Sequence, residues 1–541
     1  TVVFNSGTFS TVTVNTGSGA DSIIFQSAVN GATITTNSGN DSVRFQDLVS
    51  GSSNINLGAG ADYLFVEDRM VASIVTGDAG ADTFSLKTLS ASTILGGDDA
   101  DSVNIYGSLI GSRIDFGAGN ELFTLTVDSS LSIIDGGADN DTFVFTTATT
   151  LTNSTITGGS GNDSITLANA LTSGSVSGGA GNDSITFGGA VVSANINTVG
   201  DAGSDLLVFS STVSASGING NTGIDTITFV GDVYNSTIDF GAGDETFTFT
   251  KSMVSSTLTA GDGADTLIFG TAAVLATSSI SGGSGADSLV FSAAVASATT
   301  LAGGADNDTL IFNSSVSGAV VSLDAGADYI SFGAIVNGSS SIVGAGGIQT
   351  VQFSSASDLV SFDGSFGAGS LLAGDGNDTL VFRTGAVISG STKVVLDAGS
   401  DSVVFSGNTL SGQFSGGAGA DYFSGAITQA NSGVSFWSGS GNDTFNFTYV
   451  TGFTGNTGTA YFWNEEGNDS LVFGSTSGVN AKLRFGISAG AGDTTFQGLD
   501  ISFAQFTAAQ TGSFGGTSFS NAFMVGGSNL VSFGFGSTEV T

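Results

Sequence analysis

Acidic residues recur about every 20 positions along most of this 541-residue chain, each at the end of a glycine-rich turn. The series runs Asp21, Asp41, Asp62, Asp82, Asp101, Glu121, Asp141, Asp163, Asp183, Asp205, Asp225, Glu245, Asp265, Asp287, Asp308 and Asp328. After a break it resumes at Asp378, Asp401, Asp421, Asp443 and Asp469. A fixed period of this length marks a solenoid, in which equivalent residues stack in files. Stacked carboxylates lie ~5 Å apart and repel one another. A hard cation with oxygen ligands removes that repulsion, so the pattern points to calcium held by these aspartates. The chain has neither histidine nor cysteine, which argues against zinc.

A plainer reading is that each aspartate caps a tight turn by bonding its own backbone, with glycine supplying positive φ. One copy favours that reading; many copies in register favour the cation. Further acids inside the turns add to the charge: Asp78, Asp201, Asp324 and Asp397 stand four before their repeat acid, and Asp262 and Asp375 three before.

The elements that must position these acids follow from the flanking residues. Two positions after the acid the residue is apolar (Ile23, Val43, Leu64, Phe84, Val103), and four after it is apolar and usually aromatic (Phe25, Phe45, Phe145, Phe187, Phe209). The position between varies in polarity. Alternation of this kind predicts a strand with one face buried. A lone apolar residue follows (Val29, Val49, Val191, Val213), and then a small-x-apolar signal such as Ala32-Thr33-Ile34 or Ser112-Arg113-Ile114. Each coil is thus expected to hold an acid turn, a strong strand, a corner with an apolar anchor, and a second strand. One coil buries too little to stand alone, but stacked coils share a continuous core of parallel strands.

Composition supports this frame. There are 84 glycines and no proline, so no strand loses a ladder hydrogen bond to proline. The 42 phenylalanines supply core. A formal charge of −38, from 9 Lys+Arg against 47 Asp+Glu, argues against nucleic-acid partners and anionic lipid. No apolar run is long enough for membrane insertion. Disulfide and thiol chemistry are absent with cysteine. The chain opens at Thr1, which reads as a processed or excerpted sequence.

The best copies, Gly158 to Leu167, Gly178 to Phe187, Gly282 to Phe291 and Gly416 to Phe423, resemble the G-G-x-G-x-D-x-U-x pattern of the repeats-in-toxin, or hemolysin-type calcium-binding repeat, family of secreted bacterial proteins. The resemblance covers roughly residues 10 to 490. It implies an all-β, elongated, right-handed parallel β-solenoid of the β-roll or β-helix type. It also implies calcium between successive turns, held by aspartate carboxylates and glycine carbonyls, and a secreted or cell-surface location. On that basis the metal ligands are the aspartates of the series above. Two departures stand out. The motif occurs once per coil rather than on both edges, which predicts one calcium ladder and a third face in cross-section. Some copies, such as Gly97-Asp98-Asp99-Ala100-Asp101, lack the second glycine.

The expected organisation is solenoid coils over 1–350, an irregular or inserted segment over 351–377, solenoid with longer loops over 378–492, and a C-terminal cap or assembly segment over 493–541. Loops carrying Trp437, Tyr449, Tyr461 and Trp463 are expected to protrude. The leading functional expectation is a non-enzymatic, calcium-stabilised structural protein: a subunit of a surface layer, filament or adhesin stalk. Its expected partner is a further copy of itself, joined head to tail. The alternatives are a carbohydrate- or ice-binding adhesin, with cell-surface polysaccharide as partner, and a β-helix polysaccharide-modifying enzyme. The enzyme alternative is disfavoured by the scatter of the nine basic residues, Arg69 being expected in a surface pair with Glu67 and Asp68.

Overall fold

The computed structural model describes residues 1–541 except for 198–202, 272–273, 297, 323, 338–339, 345–349, 354, 367–368, 385, 389–391, 431–433, 451–458, 465–468, 474–481, 488–494, 498–531, 536–537 and 541. Contacts divide the chain into two units, Thr1–Leu267 and Ile268–Thr541. Both are all-β, and the described residues contain no helix. The chain is a β-solenoid of parallel strands with about 20 residues per turn.

In unit 1 most coils have three strands; Tyr63–Val71 and Thr83–Ser90 each run the first two together. In one three-stranded coil these are Ser164–Leu167, Leu171–Thr172 and Ser175–Ala180. Each pairs in parallel with its equivalent one coil on: Ile165 opposite Ile185, Leu171 opposite Val191, Val176 opposite Ile196. The middle strand, only two residues long, belongs to the same sheet as the first, so these coils form two sheets rather than showing the expected third face. Alternation places Ile165, Leu167, Leu171 and Val176 in the core, with at most 1 % of their surface exposed. Identical residues in register stack face to face. Phe187, Phe209 and Phe229 follow one another at 4.8 Å between ring centroids. These offset contacts add to the burial of the rings themselves.

Unit 2 begins with the same plan, with Phe269, Phe291, Phe312, Phe332 and Phe353 forming a like stack at 4.8–5.2 Å. Residues 351–377, expected as irregular, carry paired strands. Thr350–Gln352 pairs with Ser370–Leu372, and Leu359–Phe366 pairs with Thr379–Phe382. Trp437 and Trp463, expected on protruding loops, lie on adjacent paired strands and face each other in register. Tyr461 lies on the same strand as Trp463, and Tyr449 on Thr444–Val450. Apart from three short strands, the expected cap over 493–541 lies outside the described residues.

Candidate functional site: the acid corner

The turn that joins the third strand of one coil to the first strand of the next holds the repeat acid. The sequence stacks these carboxylates in a file along one edge; the structure buries them. From Asp41 onward the repeat acids are 1–4 % exposed. Each uses one oxygen in the same way. The Asp62 N–H donates to Asp82 Oδ1 (2.7 Å), that of Asp82 to Asp101 Oδ1 (2.8 Å), and that of Asp163 to Asp183 Oδ1 (2.8 Å). In unit 2 Asp308 donates to Asp328 (3.0 Å), Asp378 to Asp401 (2.7 Å) and Asp401 to Asp421 (2.9 Å). The acid therefore braces adjacent coils rather than capping its own turn.

The second oxygen is different. Oδ2 of Asp62, Asp82, Asp101, Asp163 and Asp225 in unit 1, and of Asp308, Asp378, Asp401 and Asp421 in unit 2, is buried with no hydrogen-bond partner. A buried, unsatisfied charged oxygen is costly. That cost shows in the titration of the group. Burial, with a smaller contribution from neighbouring carboxylates, pushes Asp82, Asp101, Asp163 and Asp225 up to about 7, against the lowering effect of the backbone hydrogen bond. Asp308, Asp378 and Asp401 are pushed up to about 7 for the same reasons.

Other oxygens converge on Oδ2. A side chain at Gly158 would collide with Asp163 Oδ2 and with the carbonyl oxygen of Gly178 in the next coil. Gly77 faces Asp82 Oδ2 and the Gly96 carbonyl in the same way, and Gly416 faces Asp421 Oδ2 and the Ser438 carbonyl. The first glycine of the motif thus keeps open a small space lined by one carboxylate oxygen and one backbone carbonyl. An all-oxygen donor set of this kind fits a hard cation such as Ca2+. The carboxylates run in single file, and among the described residues no three His, Cys, Asp or Glu side chains gather around one point. Any ion there would draw much of its coordination from backbone carbonyls.

Two coils differ. Glu121 and Glu245 replace aspartate where the first glycine is replaced by Phe116 and Phe240, both buried. Here the carboxylate turns toward the second glycine: a side chain at Gly119 would meet Glu121 Oε1, and one at Gly243 would meet Glu245 Oε1. Neither oxygen of either glutamate has a hydrogen-bond partner, and burial, with the carboxylate of Asp141 or Asp265 in the next coil nearby, pushes both glutamates up to about 9.

The further acids inside the turns occupy glycine's places. Asp78, Asp99, Asp139, Asp306, Asp324 and Asp397 all have positive φ, a region that aspartate tolerates better than most residues. Asp78 accepts from Asn56 Nδ2 (2.7 Å) and Asp324 from Ser322 Oγ (2.6 Å). Their role is turn geometry, a simpler account than cation charge. Asp201 lies outside the described residues. Glu67, expected beside Arg69, pairs across coils with Arg44 (3.1 Å).

The structure also shows a repeat acid that sequence reading passed over. Asp358 is 2 % exposed; its N–H donates to Asp378 Oδ1 (2.7 Å), and its Oδ1 accepts from the Val336 N–H (2.6 Å). Its turn lacks the glycine motif, so only the spacing could have revealed it.

The corner opposite the acids holds a second file, of serines. Ser92 N–H donates to Ser112 Oγ (3.2 Å), and Ser112 N–H to Ser132 Oγ (3.3 Å). Each hydroxyl in turn donates to a carbonyl two residues back, as Ser112 does to Ile110 (3.0 Å).

No protein-family model matches this chain, and no curated protein matches it. Among solved structures it is similar to a hyperactive, Ca2+-dependent, β-helical antifreeze protein from an Antarctic bacterium. That likeness has 17 % identity and a TM-score of 0.21, and covers 61 % of this chain and 80 % of the other. So distant a likeness carries no argument about function.

Proposed function

We propose that this chain is a calcium-organised extracellular structural protein of the repeats-in-toxin kind, serving as a subunit of a surface layer, filament or adhesin stalk. The observation that carries the calcium reading is the buried, unpartnered Oδ2 beside a carbonyl of the next coil, repeated in coils that keep the first glycine, such as those of Asp82, Asp163 and Asp421. The residues that would hold the ions are the repeat aspartates and the carbonyls of the first motif position. Bound calcium would neutralise the file and clamp successive coils together. Regular coils suit a load-bearing role, and self-association belongs to the same proposal.

Counting bound calcium on the full chain by equilibrium dialysis tests the metal, with Gly158→Ala as the local control. Several ions per chain are expected, with a measurable loss in the variant because its methyl group enters the space beside Asp163 Oδ2. No calcium bound at millimolar concentration would sink the reading. Sedimentation in calcium tests the assembly, and a monomer at all concentrations would remove it.

A second reading, ice or carbohydrate binding, draws on outward hydroxyls held in register, Ser164 with Ser184 and Thr166 with Thr186. The file is interrupted by Leu206 and Val208 before resuming at Thr226 and Thr228. Thermal hysteresis in calcium would favour this reading; growth of ice unaffected by the protein would remove the ice branch.

A further inference from the structure

Within unit 2 the acid file changes sides. Up to Asp328 the strand that follows the acid belongs to one sheet: Ser288–Phe291 pairs with Thr309–Phe312, which pairs with Tyr329–Phe332. The strand that precedes the acid belongs to the other: Ser279–Ser284, Thr300–Ala305 and Val320–Ser322. Pairing then continues without a break while the acids move. Tyr329–Phe332 pairs with Thr350–Gln352, then Ser370–Leu372, then Lys393–Val395, and the last two precede the acids Asp378 and Asp401. Val320–Ser322 pairs with Ser340–Gly344, then Leu359–Phe366, then Thr379–Phe382, and the last two follow Asp358 and Asp378. In parallel strands the end of one sheet's strand is the edge opposite its start. The acids from Asp358 onward therefore occupy the edge that held the non-acidic corner of the earlier coils.

The core moves with them. Phe312, Phe332 and Phe353 stack in one sheet. Phe353 meets Phe362 edge-on at 6.3 Å, and the stack then resumes in the other sheet through Phe382 and Phe405. The vacated edge loses its acids. Thr392 stands there, buried, its carbonyl accepting from Gln413 N–H (2.8 Å).

Resting on the calcium reading, we infer that unit 2 binds cations in two separate files on opposite edges of its coils, one ending at Asp328 and one founded by Asp358. The second file carries its own sign of a ligand. Oδ2 of Asp378, Asp401 and Asp421 is buried and unpartnered, those acids being 1 % exposed, and Asp421 Oδ2 faces the Ser438 carbonyl. Each file repeats the brace geometry independently, Asp287 to Asp308 (2.9 Å) in the first and Asp358 to Asp378 (2.7 Å) in the second.

Anomalous diffraction from crystals of the full chain soaked in terbium(III) tests this directly. The expected result is two rows of peaks in unit 2, on opposite edges, with the second including the Gly416–Asp421 coil. Peaks on one edge alone would overturn the inference while leaving the calcium reading intact; no peaks in either unit would defeat the calcium reading itself. In solution, terbium luminescence titration of Asp308→Asn, Asp421→Asn and the double variant gives a second measure. Each single change is expected to lower bound terbium by about one or two ions, with the losses adding in the double variant. A double loss no larger than a single one would show one coupled file and overturn the inference.

Discussion

The two corners of a coil in unit 1 make the same brace with different chemistry. At the serine corner, Ser112 Oγ accepts from Ser92 N–H and donates its own proton to Ile110 O. Nothing is left over. At the acid corner, Asp101 Oδ1 accepts from Asp82 N–H in the same manner, and Oδ2 is left buried and alone. A serine would meet the needs of the backbone equally well. The second carboxylate oxygen is therefore surplus to the fold, and burying it is unfavourable unless a proton or a cation joins it. The difference between the corners is the strongest physical reason to expect an ion on one side and none on the other.

Removing calcium should have the largest effect, because it acts on every acid corner together. Each site with calcium at 100 times its Kd contributes about 2.7 kcal/mol by linkage. Melting followed by circular dichroism should fall sharply in excess chelator and recover in millimolar calcium. An unchanged transition would make the two corners equivalent.

Proton binding should come next and with opposite signs in the two conditions. The carboxyls of Asp82, Asp101 and Asp163 are held up to about 7 in the folded chain, against an ordinary 3.8. Between those values the folded state binds more protons than the unfolded state. Without cation, stability is thus fully present below pH ~4 and is lost as pH rises through 7. With calcium the trend reverses, because protons compete for the same oxygens. Denaturant midpoints at pH 5 and pH 8, with and without calcium, check both slopes; slopes of the same sign would break the comparison.

The core lies between the corners and should not care about the ion. Phe187, fully buried and stacked on Phe209, should cost about 3–5 kcal/mol as Phe187→Ala, by about the same amount in calcium and in chelator. A calcium-dependent cost would mean the ions also set the core packing.

Smaller still is the exchange of one corner for the other. Asp163→Ser should be destabilising in calcium by about 1–3 kcal/mol, and neutral or stabilising in chelator, where it removes an unsatisfied oxygen. The counterpart Ser112→Ala should cost about 1 kcal/mol in both conditions, through the loss of one brace. Equal behaviour of the two variants in calcium would show that the acid corner is only a brace.

Much of this was legible in the chain itself. Period-2 alternation after each acid named the inward residues, and Ile165, Phe187 and Val213 are all buried. The lone apolar residue, read as a corner anchor, is buried as expected but lies on a two-residue strand, as Val191 does. Asp358 was missed because its turn lacks the glycine motif, although the step from Asp328 to Asp378, 50 positions (378 − 328), is about two and a half coils of about 20 residues rather than a whole number. A half-integer step requires the motif to reappear on the other edge. The extra acids at Asp78 and Asp397 were read as charge for a cation, because sequence does not show φ; in the fold they stand where a left-handed residue is required.

The sequence by itself determined the period, the inward faces and the identity of the stacked acids, because these depend only on local alternation and on repetition along the chain. Tertiary structure alone decided that the carboxylates are buried, that one oxygen braces the neighbouring coil while the other stands free in the cases named, and that the file crosses to the opposite edge after Asp328. Those properties belong to the contact between residues some 20 positions apart. Which oxygen finds a donor, and which edge a turn occupies, is set by how one coil registers on the next.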